Sequence, residues 1–90
     1  MEISFDPAKR AKTLAERGLD FRDARRVFAG RILTAVDDRQ DYGEPRQLTY
    51  GWLGDVAVMM VWTERDDTRR IISMRRMHEE EIGHVGLDRP

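Results

Sequence analysis

From Val56 to Thr63 the chain reads Val-Ala-Val-Met-Met-Val-Trp-Thr, and this run constrains the fold more than any other stretch. A near-continuous apolar segment of strand length predicts a strand buried on both faces, hence central in a sheet. Asp66-Asp67-Thr68 should end it, because Asp side chains bond their own backbone in turns. The chain then returns as Arg69-Arg70-Ile71-Ile72-Ser73-Met74-Arg75-Arg76-Met77, with an apolar middle, arginines at both ends, and Arg65 just before the turn. Such a hairpin holds fixed positive charge beside a core.

Ninety residues allow one domain and one core, burying about 60% of the surface the unfolded chain exposes. With no cysteine, neither a disulfide framework nor a thiolate metal site is possible, so stability must come from packing. The first residues lack the basic-then-apolar pattern of a signal peptide, and no apolar run approaches a membrane span. A cytoplasmic protein is expected. The net charge of -1 argues against a generally basic nucleic-acid coat, but 14 of the 16 cations are Arg. That choice matters because the guanidinium fork grips phosphate or carboxylate through two nitrogens and Lys does not.

Ahead of the hairpin, Glu2 to Phe5 alternates as a short strand would. Asp6-Pro7 is a helix start, with Asp as N-cap and Pro at the first helical position, and Gly18 ends that helix after Arg17. Ala8, Ala11, Leu14 and Ala15 fall on one side at helical spacing and are expected to pack on the sheet. Asp20 opens a shorter helix with Asp23 three residues on; Phe21, Ala24, Val27 and Phe28 form its apolar stripe, and Gly30 stops it. Ile32 to Val36 and Arg46 to Leu53 read as strands, the latter joined to Val56 by a Gly54-Asp55 hairpin turn. His78 to Ile82 should form one or two helical turns broken at Gly83 and Gly86. The expected class is α+β, with an N-terminal strand and two helices packed on an antiparallel sheet of about four strands.

Two clusters suggest metals and fail on spacing. Asp37, Asp38, Asp41 and Glu44 crowd one loop without the Asp-x-Asx-x-Asx-Gly register of a calcium site. His78 and His84 flank three glutamates but lie six apart across Gly83, whereas zinc-protease histidines sit four apart on one helical face. No metal or other cofactor is expected. The positive signal is Lys9 with Arg65, Arg69, Arg70, Arg75 and Arg76. If RNA were the substrate, metal-free cleavage would use the 2'-hydroxyl as nucleophile, with cations on the charge that gathers at the phosphorane. Arg cannot be the base because it stays protonated, which leaves Lys9, Glu64 and His78. With a three-residue turn, Arg65, Arg69, Ser73 and Arg75 would share one face. Even so, Arg69 and Arg75 would stand roughly 20 Å apart along a strand, too far to hold one phosphate.

Phe5-Asp6-Pro7-Ala8-Lys9, Gly18-Leu19-Asp20-Phe21, Val27-Phe28, the loop Asp38-Arg39 to Asp41-Tyr42-Gly43-Glu44 with Arg46, Thr63-Glu64-Arg65, and Arg70-Ile71-Ile72-Ser73-Met74-Arg75-Arg76 occur in this order. Together they resemble the BrnT toxins over nearly the whole chain. The resemblance implies a RelE-like fold and a ribonuclease toxin of a type II toxin-antitoxin pair. It also implies a DNA-binding BrnA-like antitoxin that neutralises the toxin and carries any contact with DNA. It maps the family's functional basic positions onto Lys9, Arg65, Arg75 and Arg76, leaving Arg69, Arg70, Glu64 and His78 as substrate-binding candidates. The chain departs from the family at Thr13, where Asn is common, at Glu16-Arg17-Gly18, where Lys-His-Gly is usual, and in its acidic tail. A second reading of the same residues is a non-catalytic module that binds nucleic acid or an antitoxin.

Overall fold

The structure, a computed structural model, describes residues 1–89. Its centre is β4, Val56–Arg65, in which every residue from Ala57 to Thr63 is buried. This strand pairs antiparallel with β3, Gln47–Leu53, on one side and with β5, Thr68–Arg76, on the other. The β4–β5 turn is two residues long, not three: Arg65 pairs with Thr68, and Asp66 and Asp67 both take left-handed backbone, at φ 51° and 62°. Paired positive φ is what a two-residue hairpin of the right twist demands, and Asp tolerates it better than most residues.

The sheet has five strands in the order β1-β5-β4-β3-β2, completed by β1, Glu2–Phe5, and β2, Leu33–Val36. It is mixed rather than wholly antiparallel, because β1 lies parallel to β5 along Thr68 to Ile71. The returning route from β1 runs through α1, Pro7–Arg17, and then a 3-10 turn, Phe21–Asp23, that leads into α2, Ala24–Ala29. Asp6 caps α1 by accepting from the Ala8 amide, and Asp20 caps the 3-10 turn by accepting from the Arg22 amide. The last helix, α3, Glu79–Val85, passes through Gly83 and ends at Gly86, one turn beyond the expected break. Among the described residues no helix is long and apolar enough to cross a membrane.

One face of the sheet is filled by Phe21, Ala24 and Val27, all fully buried, against Val58, Met60, Trp62, Ile71 and Met74. Gly51 is required there, since a Cβ would lie 2.7 Å from the stiff Val27 side chain. On the same face Trp62 Nε1–H donates to Thr49 Oγ1 at 2.8 Å, which shares a hydrogen with Oγ1 of the exposed Thr34 at 2.8 Å, so the buried Trp62 and Thr49 polar atoms are satisfied.

α1 behaves differently from expectation. Ala8, Ala11, Leu14 and Ala15 are exposed, and only Arg10 and Thr13 are half-buried. The sheet face is already occupied by the Phe21–Phe28 segment, so α1 lies along the edge of β5 beyond the reach of short β1. Polar contacts hold it there. Arg10 forms a two-nitrogen pair with Asp20 at 2.8 Å, Arg17 Nη1 donates to the Met74 carbonyl at 2.9 Å, and Arg76 Nη1 donates to the Arg17 carbonyl at 2.7 Å.

Candidate active site

The loop from 37 to 46 builds one wall of a cationic cavity. Asp37 is its anchor: the side chain is buried and takes two hydrogen bonds at 2.8 Å from Arg39, and its amide donates to the Arg46 carbonyl. The Arg39 guanidinium, with help from the Arg39 amide and Tyr42, holds the Asp37 carboxyl down at about 2. Asp41 accepts from the Gly43 amide, and Gly43 at φ 74° turns the chain back. Thr63 Oγ1–H then donates to the Pro45 carbonyl, fastening the loop to β4. This route delivers Glu44 and Arg46 to the ends of β4 and β5.

There Arg65 Nη2 stands 3.0 Å from both Glu44 oxygens. The Arg46 guanidinium lies 4.0 Å above the Tyr42 ring, and its Nε–H is buried with no acceptor among the described residues. Arg70 enters from β5, and Asp6 and Lys9 from the first turn of α1. These six side chains, with Ile71 and Ile72, line a cavity of about 120 Å³. Four cations thus face two carboxylates, and Asp6 already spends an oxygen on the Ala8 amide. Lys9, Arg46 and Arg70 have no carboxylate partner among the described residues. The arrangement can bind an anion through several guanidinium nitrogens at once.

Of the sequence-derived candidates, Lys9, Arg65 and Arg70 are brought together here. The others are not. β5 carries a bulge at Ile72, where the pairing slips between Val61–Ser73 and Trp62–Ile71. The extra residue changes which side chains share a face. The two-residue turn pairs Arg69 with Glu64, so Arg69 lies on the helix side and away from Arg65, its guanidinium 3.9 Å from the centre of the Phe28 ring and 5.3 Å from that of Trp62, and the bulge then leaves Arg75 on the face of Arg65 and Arg70. Arg75 pairs with Met59 across the strands and forms a two-nitrogen pair with Glu81 of α3 at 2.7 and 2.8 Å. Arg76 is engaged by the end of α1, as described. His78 caps α3, its amide donating to Glu81 at 2.8 Å, and Glu64 is exposed on the strand position next to Arg65, facing away from it. In the sequence reading Glu44 is one of four acids in a polar loop and Arg46 the first residue of a strand, and neither is named as a site residue; the Asp41-x-Gly43 turn is the signal that folds them inward. Among the described residues no three His, Asp or Glu side chains gather as a metal site would require.

Three ion-paired carboxylates give the fold a testable acid dependence. Arg10 holds Asp20 at about 2, Arg39 does the same for Asp37, and Arg75 with the His78 amide does so for Glu81. Each folded value lies below the ordinary one, so the stabilisation is complete above the unfolded range and is lost as pH falls through about 2. Thermal midpoints should be level from neutral pH to mildly acid conditions and then drop steeply below about pH 4. Glu81→Gln should make that drop shallower, and an unchanged slope would remove Glu81 from the account.

The sequence model of the family described as "Ribonuclease toxin, BrnT, of type II toxin-antitoxin system" matches residues 5–81. No curated protein matches the chain.

Proposed function

The chain belongs to the BrnT family of ribonuclease toxins of type II toxin-antitoxin systems, and from that membership we propose that it is an endoribonuclease that needs no metal ion and acts through the cavity between α1, the 37–46 loop and β5. The observation that carries this reading is the convergence of Lys9, Arg46, Arg65 and Arg70 on one cavity, three of them without a carboxylate partner among the described residues. When a ribose 2'-hydroxyl attacks its neighbouring phosphate, negative charge builds on the non-bridging oxygens, and preoriented guanidinium donors stabilise that charge more than they stabilise the ground state. Arg70 and Arg46 would hold those oxygens and Arg65 would add a third donor. Lys9, on the first turn of a helix, reaches the same site from the other side.

Arg69, Arg75 and Arg76 have other work in this reading. Arg69 braces the aromatic core, Arg76 fixes α1, and Arg75 would have to leave Glu81 before touching RNA. A BrnA-like antitoxin with its own DNA-binding surface would neutralise the enzyme by covering the cationic cavity, and DNA would be met only through that partner. The competing reading is a non-catalytic co-repressing module; the engagement of Arg75 and Arg76 within the chain is the observation in its favour.

Incubation of the purified chain with RNA in excess EDTA decides between them. Fragments ending in 2',3'-cyclic phosphate and beginning with 5'-hydroxyl are expected, with no cut where the 2'-hydroxyl is replaced by hydrogen. If neither naked RNA nor ribosome-bound message is cut, with or without added magnesium, the non-catalytic reading replaces this one.

A further inference from the structure

A cavity that gathers cations around a phosphate still lacks a group to take the proton from the attacking hydroxyl. We propose that Glu44 is that general base, an assignment that rests on the ribonuclease reading above. The candidates named from sequence do not fill the role. Glu64 is exposed and faces away from Arg65 on the other side of its strand, and His78 lies at the start of α3 with its amide bound to Glu81. Lys9 is in the cavity and is assigned to the leaving oxygen.

Two carboxylates line the cavity, Asp6 and Glu44. Asp6 is committed to capping α1 through the Ala8 amide at 2.8 Å. Glu44 is held by one side chain, with Arg65 Nη2 at 3.0 Å from each oxygen, and a carboxylate has about four lone-pair sites, so acceptor capacity remains toward the cavity. The loop that presents it is fixed at both ends, by the Thr63 hydroxyl donating to the Pro45 carbonyl and by the Asp37 amide donating to the Arg46 carbonyl. The groups facing it are Arg65 from β4, Arg46 just before β3, Arg70 from β5, Lys9 from α1 and Asp6 at its N-cap. Arg65 therefore serves two partners at once, orienting the base while its charge sits beside the phosphate.

The step balances within these residues. Glu44 takes the 2'-hydroxyl proton while the 2'-oxygen forms its bond to phosphorus. The bond from phosphorus to the 5'-oxygen breaks, and the Lys9 ammonium gives that oxygen a proton. The products are a 2',3'-cyclic phosphate and a 5'-hydroxyl, leaving Glu44 protonated and Lys9 neutral until exchange with water resets both.

Glu44→Gln keeps the side-chain shape and an oxygen for Arg65 while removing the base. With the full-length chain and an RNA oligonucleotide, kcat should fall at least about 100-fold. Binding of the same oligonucleotide carrying 2'-deoxyribose at the cleavage position should change by less than about twofold, because the phosphate donors are untouched. The parent's rate should fall on acidification, and that fall should be absent in Glu44→Gln. Glu44→Asp, with a carboxylate on a shorter arm, should be slow but keep that fall, which a merely structural role would not produce. If Glu44→Gln cleaves within about threefold of a cleaving parent and keeps its pH profile, the assignment of Glu44 is overturned and the ribonuclease reading stands. If the parent itself cleaves nothing, the ribonuclease reading fails and the assignment goes with it.

Discussion

Arg70→Ala should lower kcat for RNA cleavage by about 100- to 1000-fold, the loss expected when one preoriented donor to a developing oxyanion is removed. Arg70 has its backbone in the paired middle of the sheet, opposite Thr63 on β4 and Ser4 on β1, while its side chain enters the cavity. Its removal leaves no carboxylate without a partner, because none is bonded to it, so the thermal midpoint should shift little. Lys should restore only part of the rate, since an ammonium presents a point charge where the fork presents two parallel donors. The neighbouring Arg69→Ala provides the contrast. That side chain rests on Phe28 and Trp62 on the far face, so its loss should appear in stability and not in kcat. A cleavage assay and a melting curve on both variants suffice, and the reverse pattern would move the active site away from the cavity.

Phe21→Ala should destabilise the fold by about 3–5 kcal/mol, the usual cost of emptying an aromatic site in a core. Phe21 has no exposed surface, meets Phe5 edge to face with ring centres 6.0 Å apart, and is held in place by the Asp20 cap behind it. It shares one core with Val27, Met60, Ile71 and Met74 and meets β1 through Phe5, so alanine leaves a hole that the flexible Met side chains fill only in part. A domain of this size has a total stability of roughly 5–15 kcal/mol. At about 4–8 °C per kcal/mol the melting midpoint should fall by more than about 12 °C. A shift below about 5 °C would mean that the core collapses around the hole.

Most local structure was legible in the residues, because caps and periodicity are local. Asp6-Pro7 and Gly18 bound α1 where the sequence puts them, and the Val56 run is the central strand. The parallel docking of Glu2–Phe5 against Thr68–Ile71 was not legible. That pairing depends on which edge remains open once everything between has folded, which no local pattern encodes. The alanines of α1 misled for a related reason: a helical stripe announces an apolar side, but Phe21, Ala24 and Val27 had already filled the sheet. The two-residue turn, where three residues were expected, put Arg69 on the face opposite Arg65, and the bulge at Ile72, with no Gly or Pro to announce it, put Arg75 on the face opposite Arg69. Lys9 and Arg65 were singled out by charge and by family likeness and Arg70 by charge, and the fold brings these three to one cavity. Glu44 and Arg46 became visible only when the loop around Asp37 had been folded.

The mooring of α1 bears on how far a required residue can stand from the chemistry. Lys9 and Arg17 are eight positions apart on one helix, about 12 Å of nearly rigid rod. Arg76 holds the far end of that rod through the Arg17 carbonyl, beside the Arg17 bond to the Met74 carbonyl, while Arg10 pins the lysine's end to Asp20, so slack at the far end lets the rod pivot about Arg10. An arginine at one end of a helix can thus influence where an ammonium group at the other end points while standing outside the cavity that group lines.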